Sequence, residues 1–494
     1  MKKGIPQIKI PIRQSELTIE AVEPYIDSIF SQFEDNACKI RKDYDVYCLD
    51  QSILSKQRKF EDSDANNMVV IPNIRSCIEW KLGYTIGNPI KYAQTKDNQT
   101  DDIEILNKHF RSVGKNKVNE EEITWALVSG VGYTFTRPKL FDVNPEDEAP
   151  FDIFCIDADR CAKVRSAYLG DAELFDLIFT TFEEISESGA KNTVKVLEFY
   201  FPNFMYQYEW RVGYTKWKMV KVETRPLYKQ LPLTEKRPNK DGVGVVALGQ
   251  DLADTMDMLI SSGLDNVEEI VNQFFIYYNV NLGKTAEEQS ENHRKAMKNK
   301  ALVLNSSSKD TPAKLETLSP KLDLTQVADL YNLVNSVFHA VIGVPMEISN
   351  TNSGGTTKQG SEVANGYDHA YTRFLKDTNY FISADYEQLR KIMWIEKNSA
   401  NNKINNIGTF DIQIKYQPNQ IDNILAKAQA FGTYIQFMPP AMALRLVRAS
   451  SDPEAEGKEI ENSAVYKAWL ESKTPKEPSE ETAPPNDNNL TEKS

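Results

Sequence analysis

The sequence predicts an α+β protein of several units, and three features of the 494-residue chain lead to that reading. Apolar side chains recur at three- and four-residue steps over long runs, most clearly in Asp251–Gln273, Asp323–Val341 and from Val363 to Met393. Alternation of large residues replaces this rhythm between about Gly130 and Lys221. A small β-rich segment, 274–322, is then set between two of the long helices. A chain of this length exceeds one compact core, and about two to four domains is the expectation.

The elements follow in order. Residues 1–14 alternate basic and apolar and carry two prolines, an extended arm rather than a domain. From Thr18 a helix is predicted with Val22, Ile26, Ile29, Phe30 and Phe33 on one side. After the Asn66-Asn67 turn, Met68-Val69-Val70-Ile71 reads as a short buried strand closed by Pro72. Asn73 caps a helix carrying Ile74, Ile78 and Leu82, which Gly87 and Pro89 stop before a strand at Lys91-Tyr92. Asp101–Lys117 and Glu120–Ser129 are two more helices, followed by the β region, in which Val196–Tyr208 and Trp210–Val220 read as a hairpin.

The helix over Asp251–Gln273 leads to a β run at Phe274–Leu282, a polar helix at Thr285–Asn299 and short strands at Ala301–Leu304 and Lys314–Leu318. A helix returns with Leu324, Val327, Tyr331, Val334, Phe338 and Val341 on one face, ended by Gly343 and Pro345. Ser349 to Thr357 contains nothing apolar enough to bury and is expected to be a wet, mobile loop. Val363, Tyr367, Ala370, Tyr371, Phe374, Phe381, Ile382, Tyr386, Leu389 and Met393 then keep helical spacing for some thirty residues, with a bend expected near Gly360 and Gly366. A strand at Phe410–Tyr416, stopped by Pro418, precedes helices at Ile421–Thr433, Ala441–Arg448 and from Pro453, and 472–494 has the composition of a disordered tail.

The totals exclude several kinds of function. Hydrophobic residues at 40% and charged residues at 26% describe a soluble folded protein. No apolar run approaches the roughly 20 residues that cross a bilayer. Met1-Lys2-Lys3-Gly4-Ile5-Pro6 lacks a signal-peptide core, so folding in a cytoplasm is expected, without a membrane partner. The cysteines Cys38, Cys48, Cys77, Cys155 and Cys161 have no Cys-x-x-Cys spacing and read as free thiols. Neither a metal site nor a triad is expected from His109, His293, His339 and His369. No cofactor is expected: Gly130-Val131-Gly132 is followed by neither a third glycine nor a helix, and no P-loop is present.

This order of elements resembles the portal (head-to-tail connector) proteins of tailed bacteriophages. The resemblance is carried by Asn66 to Asn73 with Gly83 to Ile90, by the Gly343-Val344-Pro345 turn with the Ser353–Thr357 loop and long helix, and by the strand ending at Pro418 with Asp452-Pro453-Glu454. It covers about residues 20–465. It implies an N-terminal arm and helix over 1–65, an α/β wing over 66–247 completed by 397–418, and stem helices over 248–273 and 323–343. It further implies a small βαββ clip at 274–322, a tunnel loop at 344–357, a long crossing helix at 358–396, an α-helical crown at 419–471 and a disordered tail at 472–494. By the same resemblance the assembly is a dodecameric ring at one capsid vertex of the virion, built in the host cytoplasm. Double-stranded DNA passes through it during packaging and ejection, and its partners are the terminase large subunit, head-completion or adaptor proteins, and the major capsid and scaffold proteins.

The implied DNA-facing residues are Asn350, Thr351, Asn352, Ser353, Gly354, Gly355, Thr356, Thr357 and Lys358; the basic set in the clip, Lys284, His293, Arg294, Lys295, Lys298 and Lys300, reads as a docking surface for an acidic motor partner or a collar for emerging DNA. Each set has a plainer reading, a solvated helix start for Lys358 and a solvated helix face for the basic cluster. The net charge of −13 speaks against blanket phosphate neutralisation, and it suits a conduit through which DNA must not stick. The competing class is a metal-dependent nuclease using carboxylates such as Asp152, Asp157 and Asp159, but no Lys or His is spaced to complete that site. A third class is another self-assembling shell or tail protein, which the insert between paired helices disfavours. The expected protein is not an enzyme and has no catalytic residue.

Overall fold

The computed structural model describes residues 4–57, 66–94, 101–139, 148–170, 172–185, 191–225, 230–271, 274–278, 285–299, 314–318, 324–346, 360–399, 404, 406–419, 424–447 and 453–473. The fold is mixed α and β, as the periodicities predict, and divides into two compact units, Met1–Asn419 and Gln420–Ser494. In the first unit a six-stranded sheet runs in the order β1 (Ile8–Ile10), β5 (Cys161–Ser166), β6 (Glu173–Ile185), β7 (Lys191–Tyr200), β8 (Phe204–Arg211), β9 (Lys218–Thr224). A three-stranded sheet runs β10 (Leu233–Lys236), β3 (Gly132–Pro138), β4 (Phe151–Ile156). Two smaller antiparallel pairs join β2 (Lys91–Gln94) to β13 (Ile412–Lys415) and β11 (Phe274–Tyr278) to β12 (Lys314–Leu318).

The N-terminal arm is extended, as expected, and is also part of the core. Ile8, Ile10 and Ile12 share one face by the two-residue strand period and are at most 4% exposed. β1 adds in parallel to β5, and the Ile5 N–H donates to the Gly242 carbonyl at 2.9 Å. Thr18 caps a single turn, α1 (Ile19–Val22), and the helical pattern resumes past Pro24 as α2 (Ile26–Tyr47). Ile26, Ile29, Phe33 and Ala37 recur at helical steps and lay α2 on the six-stranded sheet, with Phe33 against Phe179 at 5.5 Å between ring centres.

Two strand expectations are corrected. The hairpin expected over Val196–Tyr208 and Trp210–Val220 is the three-stranded meander β7–β8–β9, because Pro202 and Gly213 (φ +94°) place the turns elsewhere. Met68–Ile71 joins no sheet. It lies against α6 (Val245–Val271), and its alternate N–H groups find side-chain acceptors on that helix. Asn67 donates to Asp265 at 2.6 Å, Val69 to the Ser261 hydroxyl at 3.0 Å and Ile71 to Asp257 at 3.0 Å. The match is metric: two residues of extended chain rise about 6.6 Å and four residues of helix about 6.0 Å, so rungs at 67, 69 and 71 meet rungs at 265, 261 and 257. A hydrophobic run between turn residues reads as a strand, and here the backbone needed acceptors that a helix supplied.

α3 (Asn73–Ile86), α4 (Asp101–Ser112) and α5 (Lys115–Ser129) follow, the last two divided at Gly114 (φ +65°). Gly130 ends α5 in the left-handed region (φ +94°), and a Cβ there would lie 2.2 Å from the Gly242 carbonyl oxygen, so only glycine fits. α7 (Ala286–Asn299) starts at Thr285, whose hydroxyl accepts from the Glu288 N–H. The strand expected at Ala301–Leu304 lies outside the described residues. α8 (Leu324–Ile342) ends at Gly343 (φ +79°), whose N–H donates to the His339 carbonyl at 2.8 Å. α9 (Gly360–Asn398) is one helix of 39 residues, assigned without a break through Gly366. The expected strand at Phe410–Tyr416 begins as a 3-10 turn and shortens to β13.

The second unit contains α10 (Ile424–Tyr434), α11 (Pro440–Val447), α12 (Pro453–Asn462) and α13 (Ala464–Lys473). The last two replace the single helix expected from Pro453, because the Ser463 hydroxyl accepts from the Tyr466 N–H and starts a new one. Residues 474–494 lie outside the described residues. All five cysteines are free thiols.

The ladder on α6 has a pH signature. Burial pushes the Asp257 carboxyl up to about 6, against the lowering effect of the Ile71 N–H. A raised carboxylate pKa means that the fold penalises the charged form. The ladder is therefore most stable below the ordinary carboxylate range and loses stability as pH rises through about 6. Asp257→Asn keeps an acceptor for Ile71 and removes the charge. Thermal melts are expected to show this variant more stable than the parent at pH 8, the gap closing by pH 4; a gap independent of pH would refute the assignment.

Candidate functional site

The structure places the sequence-predicted site residues unevenly. Asn350, Thr351, Asn352, Ser353, Gly354, Gly355, Thr356, Thr357 and Lys358 lie outside the described residues, as do Lys284 and Lys300. Arg294 and Lys295 stand side by side on α7, both exposed, with Lys295 paired to Glu291 one turn earlier at 2.7 Å. His293 and Lys298 are on the same helix, and their side chains are outside the described set. What the backbone shows is a polar helix between the two strands of the β11–β12 pair, on a segment reached by α6 and left by α8.

α6 and α8 pack on one another, with Gly249 close enough to Phe338 and Ile342 that a Cβ would approach them to about 3.0 Å. The predicted face of α8 holds at Val327, Tyr331, Val334 and Phe338, but its last contact is Ile342 at 1% exposure in place of Val341. Val341 belongs to a second apolar row that the sequence reading missed. Leu330, Leu333, Val337 and Val341 follow at steps of three, four and four residues and are 46%, 62%, 44% and 36% exposed. Four large apolar side chains in one helical row facing solvent form an unpartnered surface. The spacing was legible; that the row lies outside the α6 contact was not.

The long helix α9 is anchored at its C-terminal half. Phe381, Leu389, Ile392 and Met393 are buried there, and so are Asp385, Gln388, Lys391 and Glu396, none above 4% exposed. Asp385 meets Lys236 of β10 at 2.7 Å, and Lys236 also holds Glu122 of α5 at 2.9 Å. Gln388 accepts from Lys115 and donates to the Thr134 hydroxyl at 2.9 Å. Lys391 donates to Thr234 at 3.0 Å and to Glu387 at 2.8 Å, and Glu387 holds Lys163 of β5 at 2.6 Å. At the end of the helix Glu396 meets the His109 ring at 2.6 Å.

The electrostatics follow from burial and pairing. Burial pulls the Lys115 ammonium down to about 8, because its contacts are amide oxygens. Lys236 is desolvated as fully, yet Asp385 and Glu122 outweigh that and hold it above the usual lysine range. Burial would raise Glu387, but Lys391 and Lys163 hold it down at about 2. Asp176, whose carboxylate accepts from the Leu233 N–H at 2.7 Å, is pushed up to about 7 by burial in spite of the same two lysines.

Asp152, Asp157 and Asp159, the carboxylates considered for a nuclease, each face an arginine: Arg137 at 3.4 Å, Arg160 at 3.3 Å and Arg41 at 3.3 Å. Among the described residues no group of three or more His, Cys, Asp or Glu side chains could hold a metal ion, and no helix is long and apolar enough to cross a membrane.

Lys236→Met removes the cation in direct contact with Glu122 and Asp385, whose side chains are each 1% exposed. Denaturant unfolding is expected to show a loss of about 3–5 kcal/mol; a loss below about 1 kcal/mol would mean that water reaches the pair.

No curated protein matches the chain. A family model described as "Phage portal protein, SPP1 Gp6-like" matches residues 26–466, nearly the whole length and both compact units. The matched span takes in α6, the β11–α7–β12 insert, α8 and the anchored α9. With that coverage, the chain belongs to the phage portal protein family.

Proposed function

We propose that this protein forms a ring, of twelve copies, at one vertex of a phage capsid and serves as the conduit through which double-stranded DNA is packaged and ejected. The family is one of structural virion proteins rather than enzymes, which supports a capsid-vertex role. The observation that carries the ring is the exposed row Leu330, Leu333, Val337, Val341 on α8. A row of that kind is buried when copies stand side by side.

In this reading residues 66–247 with 397–418 form the outward wing, and 248–273 with 323–343 the stem. The clip, 274–322, presents Arg294 and Lys295 with Lys284, His293, Lys298 and Lys300 to acidic surfaces of the terminase large subunit and, later, of head-completion proteins. The wing and the crown, 419–471, meet the major capsid and scaffold proteins, and 344–357 faces the DNA. Twelve chains at −13 each carry roughly −150, a field that repels phosphate along the channel walls and keeps DNA from adhering.

Negative-stain microscopy with mass determination tests the assembly. Rings of about a dozen subunits with a central hole are expected, and a 56.2 kDa monomer that persists with scaffold and capsid protein added would overturn the reading. Leu333→Glu is expected to abolish rings while moving the melting free energy of the monomer by less than about 0.5 kcal/mol. Rings that survive it would remove α8 from the contact. Replacing Gly354 and Gly355 by proline is expected to shorten the packaged DNA, and unchanged length would count against a moving loop.

A further inference from the structure

We propose that the buried ionic ladder between α9 and the β10–β3–β4 sheet is a register lock: it makes one axial seating of the long helix the only one in which every buried charge is paired. The inference rests on the geometry of one chain and does not depend on the ring.

Along α9 the row Phe381, Asp385, Leu389, Met393 runs at one residue per turn, Phe381 and Asp385 lying by Lys236 of β10 and Leu389 and Met393 in the core with Ile90, Tyr92 and Ile412. Without Asp385 this row would be a continuous apolar ridge. Such a ridge looks much the same after sliding by one turn, about 5.4 Å. Asp385 breaks that equivalence. In the observed seating it sits against Lys236, and Tyr416 donates its hydroxyl to the same carboxylate. One turn either way would bring Phe381 or Leu389 to Lys236, leaving that ammonium with Glu122 alone and moving Asp385 onto apolar neighbours. A second pair set at a different angle repeats the constraint. Glu387 bridges Lys163 and Lys391, and Lys391 reaches the Leu233 carbonyl and the Thr234 hydroxyl of β10.

Buried ion pairs add little net stability over apolar side chains of similar volume, and their best-attested use is to set register. The two halves also hold equal numbers of acidic and basic side chains. Lys115 and Lys236 stand against Glu122 and Asp385 in one. In the other, Lys163, Lys391, Arg165 and Arg237 stand against Glu173, Asp176, Glu235 and Glu387.

The test uses spin labels at Ser383→Cys on α9 and Thr193→Cys on β7, both exposed, in a Cys38→Ser/Cys48→Ser background. The parent is expected to give one interlabel distance. The sixfold variant Lys115→Met/Glu122→Leu/Lys236→Met/Asp385→Leu/Lys163→Gln/Glu387→Gln removes both constraints, and as many acidic as basic groups. It is expected to melt at or above the parent temperature and to show a second distance displaced by about 5 Å, one helical turn. Folded protein with the single parental distance would overturn the lock. Should that variant fail to fold, the near-isosteric Lys236→Gln/Asp385→Asn/Lys163→Gln/Glu387→Gln, which also removes both constraints, is measured in its place. A second distance there supports the lock, and one unchanged distance overturns it.

Discussion

Most of the ionisable side chains buried against α9 meet an opposite charge, and the seating of the long helix depends on that constraint. Six cations (Lys115, Lys163, Lys236, Lys391, Arg165, Arg237) and six anions (Glu122, Glu173, Asp176, Glu235, Asp385, Glu387) gather where α9 crosses the sheets. They come from α5, β5, β6, β10 and α9. An apolar interface tolerates small displacements at small cost, whereas a buried ion displaced from its partner keeps the full desolvation penalty. The cluster therefore does what packing alone does poorly, which is to choose one alignment among several of similar apolar area.

A different kind of contact governs the α6–α8 pair. α6 and α8 hold each other through close apolar packing at Gly249, Phe338 and Ile342, and the extended segment at 67–71 is fastened to α6 by side-chain acceptors instead of a sheet partner. Among the described residues the row Leu330, Leu333, Val337, Val341 stays exposed.

Where periodicity alone decides structure, reading the sequence went far. The faces of α2 and α3, most of that of α8, the buried row of α9, the stop at Gly343 and the strand at Lys314–Leu318 were legible, because helix and strand periods and glycine caps are local properties, whereas Leu264 and Val267 on the expected face of α6 are exposed. The misassigned elements share a cause. Met68–Ile71 has a strand's composition, but its hydrogen-bond partners are Asp257, Ser261 and Asp265, nearly two hundred residues away. The meander at 196–224 was misdivided because large residues continue through Pro202, and only pairing with neighbouring strands fixes which of them turn.

The sequence by itself determined the α+β class, the insert between two long helices, the free thiols and the likeness to portal proteins. Each of these is carried by spacing, composition or the order of elements along the chain. Tertiary structure alone decided that Asp385, Glu122 and Lys236 meet, that the arm at Ile8–Ile12 is core, and that Val341 faces outward while Ile342 faces in. The physical reason is that pairing of buried charge and exposure of an apolar row depend on distances between elements. A chain read in one dimension carries the charges and the rows but not the distances.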